Sequence, residues 1–163
     1  GVIADYQRDV GRAAIDAGAD VILGHHAHIL KGVDLYRGKP IFYSLCNFAM
    51  DLHMDEKHAR SKGFREIQKL HPQWQPDFGI TYNFPPDSRH SAIVKCVLAP
   101  DQPPRISMLP VFIGPMSQPE IVKAGDRRFD EVRAYLERHT ASQGLNARYV
   151  VAGDELLLEA MDE

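Results

Sequence analysis

The chain has 163 residues, with 19 basic and 22 acidic side chains, a formal net charge of −3 and 44% apolar residues. That is an ordinary globular composition at a length that supports one core, and a sequence pI near 6.2 argues against a dedicated binder of nucleic acid or anionic membrane. Two cysteines, Cys46 and Cys96, exclude a disulfide scaffold and a four-cysteine zinc module. No apolar run reaches a membrane span, and the first residues do not read as a signal peptide.

The first predicted element is a helix over about 5–17, with Tyr6, Val10, Ala13, Ala14 and Ala17 along one face. Gly18 follows as its stop signal. Asp20 to Leu23 reads as a short buried strand that ends at Gly24 and the cluster His25-His26-Ala27-His28. Ligands of α/β units usually sit at such strand ends. Ile29 to Tyr36 and Pro40 to Leu45, flanking Arg37-Gly38-Lys39, predict a β-hairpin. Residues 51–89 read as a long insertion, charge-rich and partly helical at first, then rich in Pro, Gln and aromatics. His90 to Ala99 and Arg105 to Ile113 predict two strands, the first apolar on both faces and so expected to be central. A helix over about 127–143 shows Phe129, Val132, Ala134, Tyr135 and Leu136 on one side. Tyr149 to Leu158 reads as a last strand or a frayed helix.

Three of the eight histidines lie between positions 25 and 28. In an extended segment, residues i and i+2 point to one side about 6.5–7 Å apart, so His26 and His28 would share a space while His25 turns away. A zinc–imidazole bond is about 2.0–2.1 Å and paired hydrolytic metals lie about 3.5–4 Å apart. Two such imidazoles can therefore serve one ion each. Solvated loop histidines are the competing reading.

The segments Ala17-Gly18-Ala19-Asp20, Gly24-His25-His26-Ala27-His28 and Ile41-Phe42-Tyr43-Ser44-Leu45-Cys46-Asn47-Phe48 together resemble the capsule-synthesis CapA family. That family is associated with poly-γ-glutamate synthesis and has the calcineurin-like metallophosphoesterase fold. The resemblance runs from Gln7 to Asp51 and continues weakly through Ser91–Val111. It implies an α+β chain: the C-terminal half of an α/β/β/α sandwich, with mixed or antiparallel strands and flanking helices. On this reading all of residues 1–163 belong to one CapA-like domain with its insertion at about 51–89.

By spacing, the last metal-binding motif of that superfamily, Gly-His-x-His, falls on His26 and His28 as metal ligands. His25, Asn47, Cys46 and Asp51 are then candidates for the surrounding shell. Ala27 stands where the family often has Pro, and Cys46 where it usually has Gly. A Cys there is strained if the position needs a positive φ; a buried small apolar role is favoured over a reactive one. None of the upstream carboxylate motifs of the fold (Asp-x-His, Gly-Asp-x-x-Asp and Gly-Asn-His) is expected in this chain. No catalytic residue is therefore assigned in this chain.

The resemblance implies two divalent ions, manganese, iron or zinc, in a complete domain and at most one weakly held ion here. It implies an anionic phosphoester or polymer as substrate, and the missing N-terminal half of the domain as partner. Self-association through exposed strands is expected, as are no nucleic acid and no membrane span. A cytoplasmic or a cell-envelope location is compatible with the family. The expected function is the metal-binding part of a metal-dependent phosphoesterase linked to capsule or poly-γ-glutamate synthesis. The alternative is a non-catalytic accessory in anionic-polymer assembly or export. An amidohydrolase also places His-x-His at a strand end, but its barrel of about 250 residues exceeds this length. His53, His58, His71 and His90 match no metal spacing, and Trp74 reads as a packing anchor.

Overall fold

The computed structural model describes residues 1–102 and 104–161, and the architecture is α+β. Helix α1 spans Asp5–Asp16 and stops at Gly18, whose φ of +109° suits a residue without Cβ. Its buried face carries Gly11 and Ile15, not the tyrosine–valine–alanine stripe expected from the sequence. The reason is close approach: a Cβ on Gly11 would sit 3.0 Å from Cγ2 of Ile41. Tyr6 and Val10 are left 68% and 64% exposed.

Three short strands follow: β1 (Ile22–Leu23), β2 (Val33–Tyr36) and β3 (Lys39–Phe42). They form a sheet in the order β1-β3-β2, with β1 parallel and β2 antiparallel to β3. The expected hairpin is present with a tighter turn, since Lys39 already pairs with Tyr36. Arg37 and Gly38 have φ of +53° and +75°, the two positive values of a hairpin turn matched to strand twist. Successive residues of β3 serve different cores. Ile41 packs with Ile3, Ile15, Tyr43 and Leu145, whereas Phe42 joins the main cluster.

Within 51–89 lie α2 (Glu56–Ala59) and α3 (Lys62–Leu70), capped by the side chains of Asp55 and Ser61. Met54, Phe64 and Trp74 make a separate small core beneath them. Trp74 is buried there, its ring 5.0 Å from that of Phe64. A 3-10 turn at Pro86–Arg89 leads into the larger sheet.

That sheet contains β4 (His90–Val97), β5 (Arg105–Ile113), β6 (Pro119–Ile121), β7 (Ala147–Ala152) and β8 (Glu155–Ala160). Its order is β4-β5-β8-β7, with β6 also pairing to β5. The expectation that the first long strand is central is corrected: β4 is an edge. Both its faces are apolar because both are covered at the start of the strand. Ala92 and Val94 face the main core, while Ile93 packs beside Tyr82, Phe84, Val111 and Ile113. The C-terminal segment is a hairpin rather than a lone strand or helix, turning at Gly153 with φ +62°.

Helix α4 (Arg127–Ser142) buries Phe129, Val132, Tyr135 and Leu136 against Phe42, Met108 and Leu156. Ala134 of the expected stripe is exposed. Asn146 ties the two sheets together: its Oδ1 accepts from Leu35 N–H at 2.7 Å and its Nδ2 donates to Leu35 O at 3.0 Å. No described helix is long and apolar enough to cross a membrane.

Candidate functional site

The histidine loop is pinned at both ends to one residue. Leu45 N–H donates to Gly24 O at 3.0 Å, and Leu30, fully buried, forms an antiparallel bridge with Leu45. Residues 25–29 must therefore leave and return to the same place. Fully extended, five residues would span about 17 Å, so the extended segment expected for His26 and His28 is not formed. The chain bends instead, and His26 and His28 take φ of +82° and +56°. Histidine is among the residue types that visit this region more readily. Gly24 is required by contact rather than by φ, because a Cβ there would lie 2.6 Å from the carbonyl oxygens of Phe42 and Tyr43.

Beyond the loop, a chain of hydrogen bonds fixes one imidazole. The Tyr82 hydroxyl donates to Ser88 O at 2.6 Å, so its single proton is committed. It can only accept from Asn47, whose Nδ2 donates to it at 2.8 Å. Asn47 Oδ1 then faces Nδ1 of His28 at 2.6 Å, and Nδ1 must carry the proton. In neutral His28 the lone pair is on Nε2, the form that ligates a metal or accepts a proton. Burial pushes the Tyr82 phenol above its ordinary pKa and keeps it a donor. The His28 ring also stacks on Phe84, with centroids 5.2 Å apart.

Cys46 holds the other side of the loop. Its φ is +67°, a backbone conformation in which a residue with a Cβ is strained. Its Sγ lies 3.2 Å from both His28 O and Ser88 O, within reach of a shared thiol donor. Burial raises the thiol pKa from 9.0 to about 11, so this is a protonated, packed side chain. His28, Asn47 and Cys46 are thus brought together. His25, His26 and Asp51 are exposed and make no side-chain hydrogen bond among the described residues. The expectation that the chain holds no Asp-x-His triplet is corrected: Asp51-Leu52-His53 is one, downstream of the loop, and its Asp and His are both exposed.

His28 opens onto a cleft of about 820 Å³ between the histidine loop, the helical insertion and the segment 84–88. This lies within the range of small-molecule sites. Trp74 and Phe84 line it, as do His71, previously without a role, and Asp87. Tyr82 and Phe84 were not singled out in the sequence; their one signal was an aromatic pair in a Pro-rich stretch. As a metal site, His28 has the orientation a ligand needs. However, no group of three His, Cys, Asp or Glu side chains is placed to hold an ion among the described residues.

Residues 2–52 match the model of a family described as bacterial capsule synthesis protein PGA_cap. The chain is 55% identical over 47 residues to the PGA biosynthesis protein CapA of Bacillus subtilis, covering 29% of this chain and 12% of that protein. It is 51% identical over 45 residues to the capsule biosynthesis protein CapA of Bacillus anthracis, covering 28% and 11%. An uncharacterized Sinorhizobium fredii protein, y4sH, is 50% identical over 78 residues, covering 48% of this chain and 16% of its own length. The matched stretches thus span between 11% and 16% of these relatives. The matched stretch includes the histidine loop, Cys46 and Asn47, and over residues 2–52 the chain is similar to bacterial capsule-synthesis proteins of the CapA kind.

Proposed function

We propose that this chain is the imidazole-donating part of a CapA-type metal-dependent phosphoesterase acting in capsule synthesis. The observation that carries the reading is the directed chain Ser88–Tyr82–Asn47–His28, which commits His28 to one tautomer beside a cleft. His28 and His26 would hold a divalent ion, whose chemistry when bound is Lewis-acid polarisation of a phosphoryl oxygen. The protein's own contribution is positional. Asn47 keeps Nδ1 of His28 protonated, and Phe84 holds the ring plane. Gly24 lets the loop start against β3.

Calorimetry with manganese or zinc on the 163-residue chain tests this. At most one weakly held ion is expected, with His28→Ala and His26→Ala each abolishing binding and His25→Ala changing it little. Two tight sites, or binding unchanged in His28→Ala, would overturn the reading.

A second reading, a non-catalytic accessory in anionic-polymer assembly or export, is favoured by the lack of a three-donor cluster among the described residues. Turnover of a chromogenic phosphodiester by a longer protein containing this chain, with manganese added, separates the two.

A further inference from the structure

The cleft beside His28 has a composition that narrows the ligand. Met50, Ile67, Leu70, Trp74 and Phe84 converge on it from four separate segments. Met50, Ile67 and Leu70 are 40%, 49% and 77% exposed, so three large apolar side chains face a shared solvent-filled space. Concave apolar surface of this kind marks a ligand site more often than it marks bare surface. Its charge pattern is equally informative. Among the described residues no Lys or Arg side chain lines the cleft; its charged groups are the acid Asp87 and the α-amino group of Gly1. The cations of the insertion lie elsewhere: Arg60 pairs with Glu56 and Lys69 with Glu66 on the exposed helix surfaces.

A polyanion binds where cations line its path. This cleft offers no such path, only the single ammonium of Gly1 beside Asp87, and it offers apolar walls leading away from a histidine. Resting on the phosphoesterase reading above, we propose that the cleft binds the uncharged, apolar body of a phosphate ester, an alkyl or aryl group. The phosphoryl end then lies at His28, and a polyglutamate-like chain is not accommodated there. The insertion would accordingly be the specificity element, with Ile67 and Leu70 on α3 contacting the apolar group and Trp74 forming the wall.

Trp74 is the chain's one tryptophan, so its emission reports the occupancy of this cleft. The 163-residue chain would be titrated with butyl, hexyl and octyl phosphate below their micellar concentrations, with inorganic phosphate and a glutamate oligomer alongside. A saturable change is expected with the alkyl phosphates, the affinity rising about two- to fourfold per added methylene. Inorganic phosphate and the oligomer should give no saturable change. Ile67→Asp and Leu70→Asp, at exposed positions that leave the core untouched, should together weaken hexyl phosphate binding at least tenfold with the circular dichroism spectrum unchanged. No response to alkyl phosphates, an affinity independent of chain length, equal binding of the glutamate oligomer, or unaltered binding in the double variant would each overturn the proposal.

The same titration in EDTA separates the two ideas. Alkyl phosphate binding in a chain that calorimetry shows to hold no metal would remove the phosphoesterase reading and keep the cleft. Metal binding lost in His28→Ala, without any alkyl phosphate response, would do the reverse.

Discussion

Nδ1 of His28 and Oδ1 of Asn47 lie 2.6 Å apart, and the amide cannot be turned round, because its nitrogen is held by the Tyr82 hydroxyl. A residue of the histidine loop is thereby oriented through one from the segment after β3, which is anchored in turn by the insertion. Leu52 and Tyr82 form a parallel bridge that keeps the two ends of that insertion together. The tautomer of His28 is a tertiary property.

Removing the amide should release the imidazole. In Asn47→Ala, nitrogen NMR of His28 should show a mixture of tautomers where the parent shows Nδ1–H. Metal affinity should fall by about 10- to 100-fold, as it does when a ligand's outer partner is lost. Tyr82→Phe should shift the tautomer in the same direction by a smaller amount. An unchanged His28 spectrum in Asn47→Ala would refute the relay.

Gly24 should be intolerant of any side chain. Gly24→Ala pushes a Cβ against two backbone carbonyls that cannot rotate away, and overpacking of this sort costs about 1–3 kcal/mol. Denaturant unfolding should show that loss. In contrast, Gly38→Asn, at a turn position with positive φ and open space around it, should be nearly neutral.

The two thiols should react differently. Cys96 is exposed and Cys46 is buried with its pKa raised to about 11, and only the thiolate is nucleophilic. A thiol reagent at pH 8 should therefore modify one cysteine rapidly in the native chain and two in denaturant. Rapid native labelling of Cys46 would contradict its packing against His28 O and Ser88 O.

Stability should decline on mild acidification. Burial lowers the pKa of His90 below 6.5, opposed by Asp87 and Glu131 and reinforced by Arg138, and its Nδ1 is buried without a partner. His139 is lowered in the same direction, again chiefly by burial. In the window between the folded values and 6.5 the unfolded chain binds more protons, so stability is full above about pH 6.5 and is lost as pH falls below it. His90→Phe, which keeps a ring between Phe112 and Tyr135, should flatten part of that slope. A variant with the full parental slope would assign the effect to other groups.

Self-association is expected through the first sheet. Among the described residues β1 pairs on one side alone, with β3. Leu23 is 51% exposed on that strand, and an open apolar edge of this kind recruits strands. Sedimentation should show a mass that rises with concentration, reduced in Leu23→Lys. A monomer at all concentrations would mean that this edge is not adhesive.

The local features of the chain were legible in its residues. Helical spacing located α1 and α4 to within a residue or two. The Arg37-Gly38-Lys39 turn marked the first hairpin, and the His-x-His cluster falls just after the end of β1. These follow from short-range sterics and periodicity, which act wherever the segment is placed. Which face of α1 is buried did not follow from its apolar stripe, because a close approach at Gly11 outweighed the larger side chains. Nor did the edge position of β4, whose apolar faces record what covers them and not how many strands flank them. The shape of the histidine loop was decided by Leu45, which holds both of its ends. The orientation of His28 was decided by Tyr82 and Ser88, more than fifty residues further along the chain. Sequence spacing names the imidazoles; a buried network that closes only in the folded chain fixes which nitrogen of His28 is free.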